Sequence, residues 1–305
     1  MWRNIKAYAN HKPSASVGAA FTIMSLLFGS WITRIPDIKL QTGLSEGALG
    51  LALLGMPIGA IFIMVFMGAL IHRFGAGRVT WFACLLYLIA IILPAFATGM
   101  VTLALALVMV GISAGAMDVA MNAAAANVEK QYQKRIMSTS HALFSLGGMI
   151  GAGFGSVLAG IGVPTWIHFV ALSAILLPIS LWLKKYWFIL SDTSEGNYQW
   201  AWPTSALAVL AFIGFCVMLS EGAIADWSAI YLRDTLGGSS FIGGLGFAGF
   251  SLTMALGRFY GDIIIPRWGA ARIIRIGGLL AGISLAAALL VGTVGVSIIG
   301  FTMVG

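Results

Sequence analysis

Asp118 and Asn122 stand one helical turn apart in the stretch AMDVAMN (116–122), inside a run of apolar residues where a carboxylate is costly. At that spacing the amide lies beside the acid and can hydrogen-bond either of its protonation states. This is the chemistry of a reversible proton carrier, or of an acid that meets a polar ligand. A buried structural acid satisfied by its own amide is the competing reading. Gly111 and Gly115 precede the pair at helical spacing, so Gly111, Gly115, Asp118 and Asn122 form one small, polar stripe. The rest of that helix surface is mostly Ala, Val, Met and Leu, and the stripe is expected to face protein or water rather than lipid.

His141 and Ser145 are also one turn apart, beyond the short loop NVEKQYQKR (127–135). Counting away from that loop places Ser145 level with Asp118 and His141 level with Asn122. Gly148, Ala152 and Gly155 continue this second face, and their small size predicts a close approach of the two helices. Imidazole is the side chain that titrates nearest neutrality, which suits His141 to proton exchange or to a ligand hydroxyl. A histidine near a helix end can equally cap it or meet headgroups. SEGAIADWSAIYLRD (220–234) gathers Glu221, Asp226, Trp227, Tyr231, Arg233 and Asp234. Such a segment commonly forms an interfacial belt, although Glu221 and Trp227 together would suit a polyhydroxylated ligand. Trp31, followed by Arg34, holds the matching place earlier in the chain. Arg73, Arg78, Arg258, Arg267 and Arg272 could pair with Glu129 or Asp262 as conformational latches, or simply set topology. Arg258 and Asp262 are spaced i, i+4 on one helix.

The elements that hold these residues follow from composition. Of 305 residues, 60% are hydrophobic and 9% charged, and the mean hydropathy is +0.98. Soluble domains carry about 25% charged residues, so this is a chain that crosses a bilayer many times. Apolar runs predict helical spans at 15–33, 45–71, 79–97, 100–126, 138–161, 165–183, 203–220, 240–262 and 272–294, with 296–305 beginning another. No alternation of the barrel type is present. The net charge of +7 reflects topology rather than nucleic acid. With a cytoplasmic N-terminus, every lysine and arginine except Arg34, Lys39 and Arg233 falls inside. The lone Cys84 and Cys216 support neither a disulfide framework nor a metal site. No nucleophile and base, phosphate loop or metal-ligand spacing points to an enzyme.

An internal repeat organises the spans. HRFGAGRV (72–79) after the second span and PRWGAARI (266–273) after the eighth share one form, and their arginines, Arg73 and Arg267, are 194 residues apart (267 − 73). Trp31 and Trp227 are 196 apart (227 − 31). The expectation is an all-α polytopic protein of two six-helix bundles: residues 1–183, a cytoplasmic linker at 184–203, and a C-terminal bundle at 204–305. Equal halves would need roughly 390 residues, so the second bundle is expected to be incomplete, with nine to ten of twelve helices present.

These residues resemble the major facilitator superfamily, nearest its fucose-permease-like branch of bacterial inner-membrane transporters. Gly68, Arg73, Gly75 and Arg78 match the superfamily pattern Gly-x-x-x-Asp-Arg-x-Gly-x-x-Arg after the second span, with His72 at the acidic position. GISAGAMDVAMN (111–122), LFSLGGMIGAGFG (143–155) and LGRFYGDIIIPRWG (256–269) resemble the branch. The resemblance implies secondary transport of a small polar solute, a sugar or related compound. It implies proton-coupled symport across the inner membrane, with the proton gradient as energy source, no cofactor and a monomer in the bilayer. A drug or metabolite exporter is disfavoured by the absence of a Gly-Pro pair in span five. A non-transporting sensor or assembly protein on the same fold is the rival from another class.

Overall fold

The computed structural model describes residue 8, residues 10–188 and residues 204–305, apart from the side chains of Ala206, Asp262 and Ile263. Most of the expected linker, from residue 189 onward, therefore lies outside the described residues. Among the described residues the structure is helical, with nine helices long and apolar enough to span a bilayer and one shorter apolar helix after them. In chain order they are α1 (Lys12–Thr42), α2 (Glu46–Phe74), α3 (Ala76–Ala90), α4 (Met100–Tyr132), α5 (Met137–Gly160), α6 (Thr165–Trp187), α7 (Ser205–Ile230), α8 (Leu245–Trp268), α9 (Ala270–Val291) and α10 (Val294–Val304).

Local chemistry sets the ends. Ser45 caps α2 by accepting from the Ala48 N–H, and Ser239 caps the short turn Ser240–Gly243 before α8 by accepting from Ile242. Helix α2 breaks at Leu54, because Pro57 in the next turn has no N–H to offer the Leu53 carbonyl. Gly75 and Gly269 adopt φ of 86° and 78° where α2 and α8 reverse into α3 and α9, a conformation that favours glycine. The sequence repeat thus recurs in the backbone. Gly43 and Gly237, Ser45 and Ser239, and Gly75 and Gly269 are each 194 residues apart (237 − 43, 239 − 45, 269 − 75) and do the same work in each pair.

Two expectations are corrected. Residues 220–234 are not an interfacial segment after the seventh span but part of the span itself. Helix α7 continues to Ile230 and passes into a π-helical turn, Tyr231–Thr235, because no Gly or Pro interrupts it between Gly222 and Gly237. Glu221 consequently lies mid-helix. The second correction concerns the glycine face of α5, which packs against α1 rather than α4. A Cβ at Gly29 would fall 2.2 Å from the Gly148 carbonyl oxygen, and one at Gly151 would fall 2.2 Å from the Leu26 carbonyl oxygen. Ser30 Oγ donates to the Gly151 carbonyl across this seam at 3.2 Å. Gly111 and Gly115 of α4 serve α2 in the same way, against Met56 and Ala60. Small residues let backbones close to van der Waals distance where lipid provides no hydrophobic drive for association.

The seam makes a direct prediction. Gly151→Val forces a branched side chain into the Leu26 backbone, and overpacking of this kind costs about 1–3 kcal/mol. Thermal denaturation of the purified protein in detergent is expected to show a clearly lowered Tm. Gly153→Val, where nothing lies within 4 Å, is expected to leave it unchanged.

Candidate functional site

Arg258 projects from α8 onto the polar face of α5. Its Nη1 donates to Ser145 Oγ at 2.7 Å and to the His141 carbonyl oxygen at 3.1 Å, while Ser138 Oγ donates to the Arg258 carbonyl oxygen at 3.0 Å. Residues 138, 141 and 145 lie along one helical stripe, so two turns of α5 are bound to one residue of α8. The His141 ring stands edge-on to Phe21 of α1 at 5.0 Å. On its other side Arg258 faces Glu221 of α7, within electrostatic reach. Both lie along the space between α7, α8 and α9 at the C-terminal end of α10, with Phe250, Met254, Gly282 and Leu285 nearby.

Asp118 and Asn122 are half-buried on α4, and Asn122 Nδ2 donates to both the Asp118 carbonyl oxygen (2.9 Å) and Asp118 Oδ1 (3.2 Å). Among the described residues no hydrogen bond joins this pair to His141 or Ser145. A carboxylate at mid-helix costs about 2.5–3.5 kcal/mol to insert. One charged hydrogen bond recovers about 1.5–3 kcal/mol of that cost.

A second cluster occupies the end of the helices that carries Asp37. Asp37 Oδ2 pairs with Arg34 Nη1 at 2.9 Å and its Oδ1 with Arg233 Nη1 at 2.6 Å. Lys39 pairs with Glu46 at 2.6 Å and with Asp234 at 2.8 Å. These contacts tie α1 to the turn after α7. The partners Asp37 and Arg233 are 196 residues apart in sequence, Lys39 and Asp234 195, so each pair joins residues one or two positions off the 194-residue repeat. Trp227 seals the same end, its ring edge 3.4 Å from where a Cβ at Gly50 would sit.

The remaining expected residues are dispersed. Trp31 is 1% exposed and packs near Phe169, 6.4 Å between rings, away from Arg258. Arg73 lies over the Phe74 ring and Arg78 over the Phe188 ring, while Arg267 and Arg272 are exposed. None of these four forms an ion pair among the described residues. Glu129, an expected partner for them, accepts from the N–H groups of Ile136 and Met137 and so caps α5. Gly68 has open space around it, and the Asp262 side chain lies outside the described residues. The Asp37 cluster was not among the expected site residues. The signal for it is weak: RIPDIK (34–39) and RD (233–234) both carry charges of each sign close to the repeat offset.

A bundle of apolar spans with an internal repeat and polar groups concentrated at helix seams defines the class as polytopic helical transport proteins. The family profile described as Major Facilitator Superfamily matches residues 15–305, and this chain belongs to that superfamily. An uncharacterized transporter, y4wD, of Sinorhizobium fredii is 32% identical over 298 residues, covering 96% of this chain and 78% of that protein. Membrane protein MosC of Rhizobium meliloti is 32% identical over 298 residues, covering 95% of this chain and 71% of MosC. In fold the chain is similar to the nucleoside transporter NupG, with TM-score 0.71 and 13% identity over 96% of this chain and 78% of NupG. It is also similar to a D-xylose-proton symporter, with TM-score 0.62 and 16% identity over 95% of this chain and 79% of that one. The superfamily is one of transporters, not an enzyme class.

Proposed function

We propose that this chain is a secondary active transporter that moves a small polar solute, a sugar or related compound, by alternating access with proton symport. The observation that carries the reading is Arg258. It is bonded to α5 through Ser145 and His141, and it faces Glu221 of α7 on its other side. Residues 1–183 and 204–305 act as the two moving bodies about a linker at 184–203. Asp118 with Asn122 forms the proton site, and the Asp37 cluster closes the opposite face between turnovers. A cytoplasmic N-terminus in a bacterial inner membrane puts that cluster outside, in keeping with the distribution of lysine and arginine. The solute class draws support from the fold neighbours, whose names specify a nucleoside and a proton-coupled pentose, and from the resemblance of α4, α5 and α8 to the fucose-permease-like branch.

Ligand-dependent thermal stabilisation tests the substrate class. A panel of pentoses, hexoses, polyols, nucleosides and cationic drugs is added to the purified full chain. A ligand at about 100 times its Kd stabilises by about 2.7 kcal/mol, which is a readily measured rise in Tm. A sugar, polyol or nucleoside is expected to give it. Stabilisation by the drugs alone would contradict the reading.

A further inference from the structure

The seam between α1 and α6 holds a polar cluster that the proposed transport cycle does not use. His168, on α6, is 1% exposed, and neither of its ring nitrogens has a protein partner. Its ring is stacked on Phe169 at 5.1 Å and lies edge-on to Phe154 at 5.7 Å, so apolar rings hold it in place without satisfying it. From α1, Trp31 Nε1 and Arg34 Nε are likewise buried without a protein acceptor. Trp31 and Arg34 are a turn apart on the face that α6 covers, and Arg34 acts electrostatically on His168. The tryptophan and arginine atoms can only donate. The neutral imidazole supplies a free lone pair to them, and a water or a proton is what such a site takes.

The other end of Arg34 belongs to the closed face. Its Nη2 donates to the Val163 carbonyl oxygen in the loop before α6, and its Nη1 pairs with Asp37, which also holds Arg233. One carboxylate thus sits between two guanidinium groups. The groups around His168 can be named element by element. Helix α1 contributes Arg34 and Asp37, the turn after α7 contributes Arg233 through Asp37, and α5 contributes Phe154 and Gly155 with no charge. On α3, whose Leu88 carbonyl accepts from Ser173, the titratable Arg78, Cys84 and Tyr87 all lie on the far side of Leu88 from His168.

We propose that His168 is a proton-binding site coupled through Arg34 to the Asp37–Arg233 pair, so that taking up a proton favours the parting of α1 from the turn after α7. A proton on His168 adds a third cation to two guanidinium groups that share one carboxylate. The repulsion is relieved when Arg233 leaves with its helix. By linkage, His168 binds its proton more tightly once Arg233 has left. The inference goes beyond the solute site. It rests on the alternating-access reading only for the claim that this face opens.

Two measurements on the full chain test it. In the first, Leu40→Cys and Thr235→Cys are spin-labelled in a Cys84→Ser, Cys216→Ser background, and their distance distribution is recorded between pH 8 and pH 5.5. Acidification is expected to increase the long-distance population, and His168→Gln is expected to abolish that response while leaving the pH 8 distribution unchanged. A response that survives His168→Gln, or a distance that opens without regard to pH, overturns the proton site but leaves alternating access standing. A distance that never changes, with or without the stabilising solute, contradicts both. The second measurement needs no change at His168 and stands even where His168→Gln does not fold. Deuterium exchange at the imidazole C2 position, followed by mass spectrometry, reads the protonation of His168 directly. Arg233→Gln, which breaks the pair with Asp37 and so favours the open face, is expected to raise its proton affinity severalfold by the same linkage. An unchanged midpoint overturns the coupling.

Discussion

Arg258→Gln is expected to lower solute uptake into proteoliposomes by roughly 100-fold or more, the rate equivalent of about 3 kcal/mol for two lost hydrogen bonds from a charged donor at about 1.5–3 kcal/mol each. Glutamine ends two bonds short of the guanidinium nitrogen that meets Ser145 Oγ, and it carries no charge to face Glu221. The carboxylate of α7 is then left without the cation it faces, beside Phe250, Met254 and Leu285. The bond to the His141 carbonyl oxygen is lost with the guanidinium, so the same change loosens α5 from α8. Arg258→Lys restores the charge but as a point donor that cannot serve two acceptors in one plane, and partial recovery is expected. Full activity of Arg258→Gln would remove Arg258 from the site. The double variant Arg258→Gln, Glu221→Gln is expected to be less impaired than the product of the two single effects, because it leaves no unpaired charge.

Asp118→Asn carries the second large effect, and its value lies in separating two activities. The amide keeps the size of the side chain and can still meet Asn122 Nδ2, so the helix stripe on α4 stays intact. What is lost is the capacity to take up and release a proton. Uptake driven by an imposed pH gradient is expected to fall to the level of empty vesicles. Exchange of internal for external solute, which needs no net proton movement, is expected to continue. Loss of both would assign Asp118 to solute binding or to folding, and retention of both would make it a structural acid. Asn122→Ala should give an intermediate loss of gradient-driven uptake, since it removes the one side-chain hydrogen bond described for that carboxylate.

Much of the architecture was legible from residue order alone. The spans and the turn glycines Gly75 and Gly269 follow from apolar run length and from the requirement for a left-handed residue at a tight reversal. What periodicity does not reveal is the identity of a neighbour. The small face of α5 is obvious in SLGGMIGAGFG, yet sequence adjacency suggested α4 as its partner when α1 is the helix that fills it. The acids and aromatics gathered after Ser220 suggest an interface, although the absence of a helix breaker permits α7 to continue through them. At the candidate site, Ser145, His141, Arg258 and Glu221 are gathered around one seam, while Trp31 joins a different, buried cluster. His168 gave no signal at all in sequence, since a lone histidine in an apolar helix looks like packing until its unpartnered nitrogens are seen beside Arg34.

The central claim is that solute and proton cross together, and the direct measurement is proton movement elicited by solute. The full chain is reconstituted into lightly buffered vesicles with no imposed gradient, and the solute that stabilises it most is added outside while external pH is followed. External alkalinisation that accompanies solute entry, and that is absent in Asp118→Asn, is the expected result. Binding of that solute with neither entry nor any change in pH would contradict the account and favour a sensor built on a transporter fold.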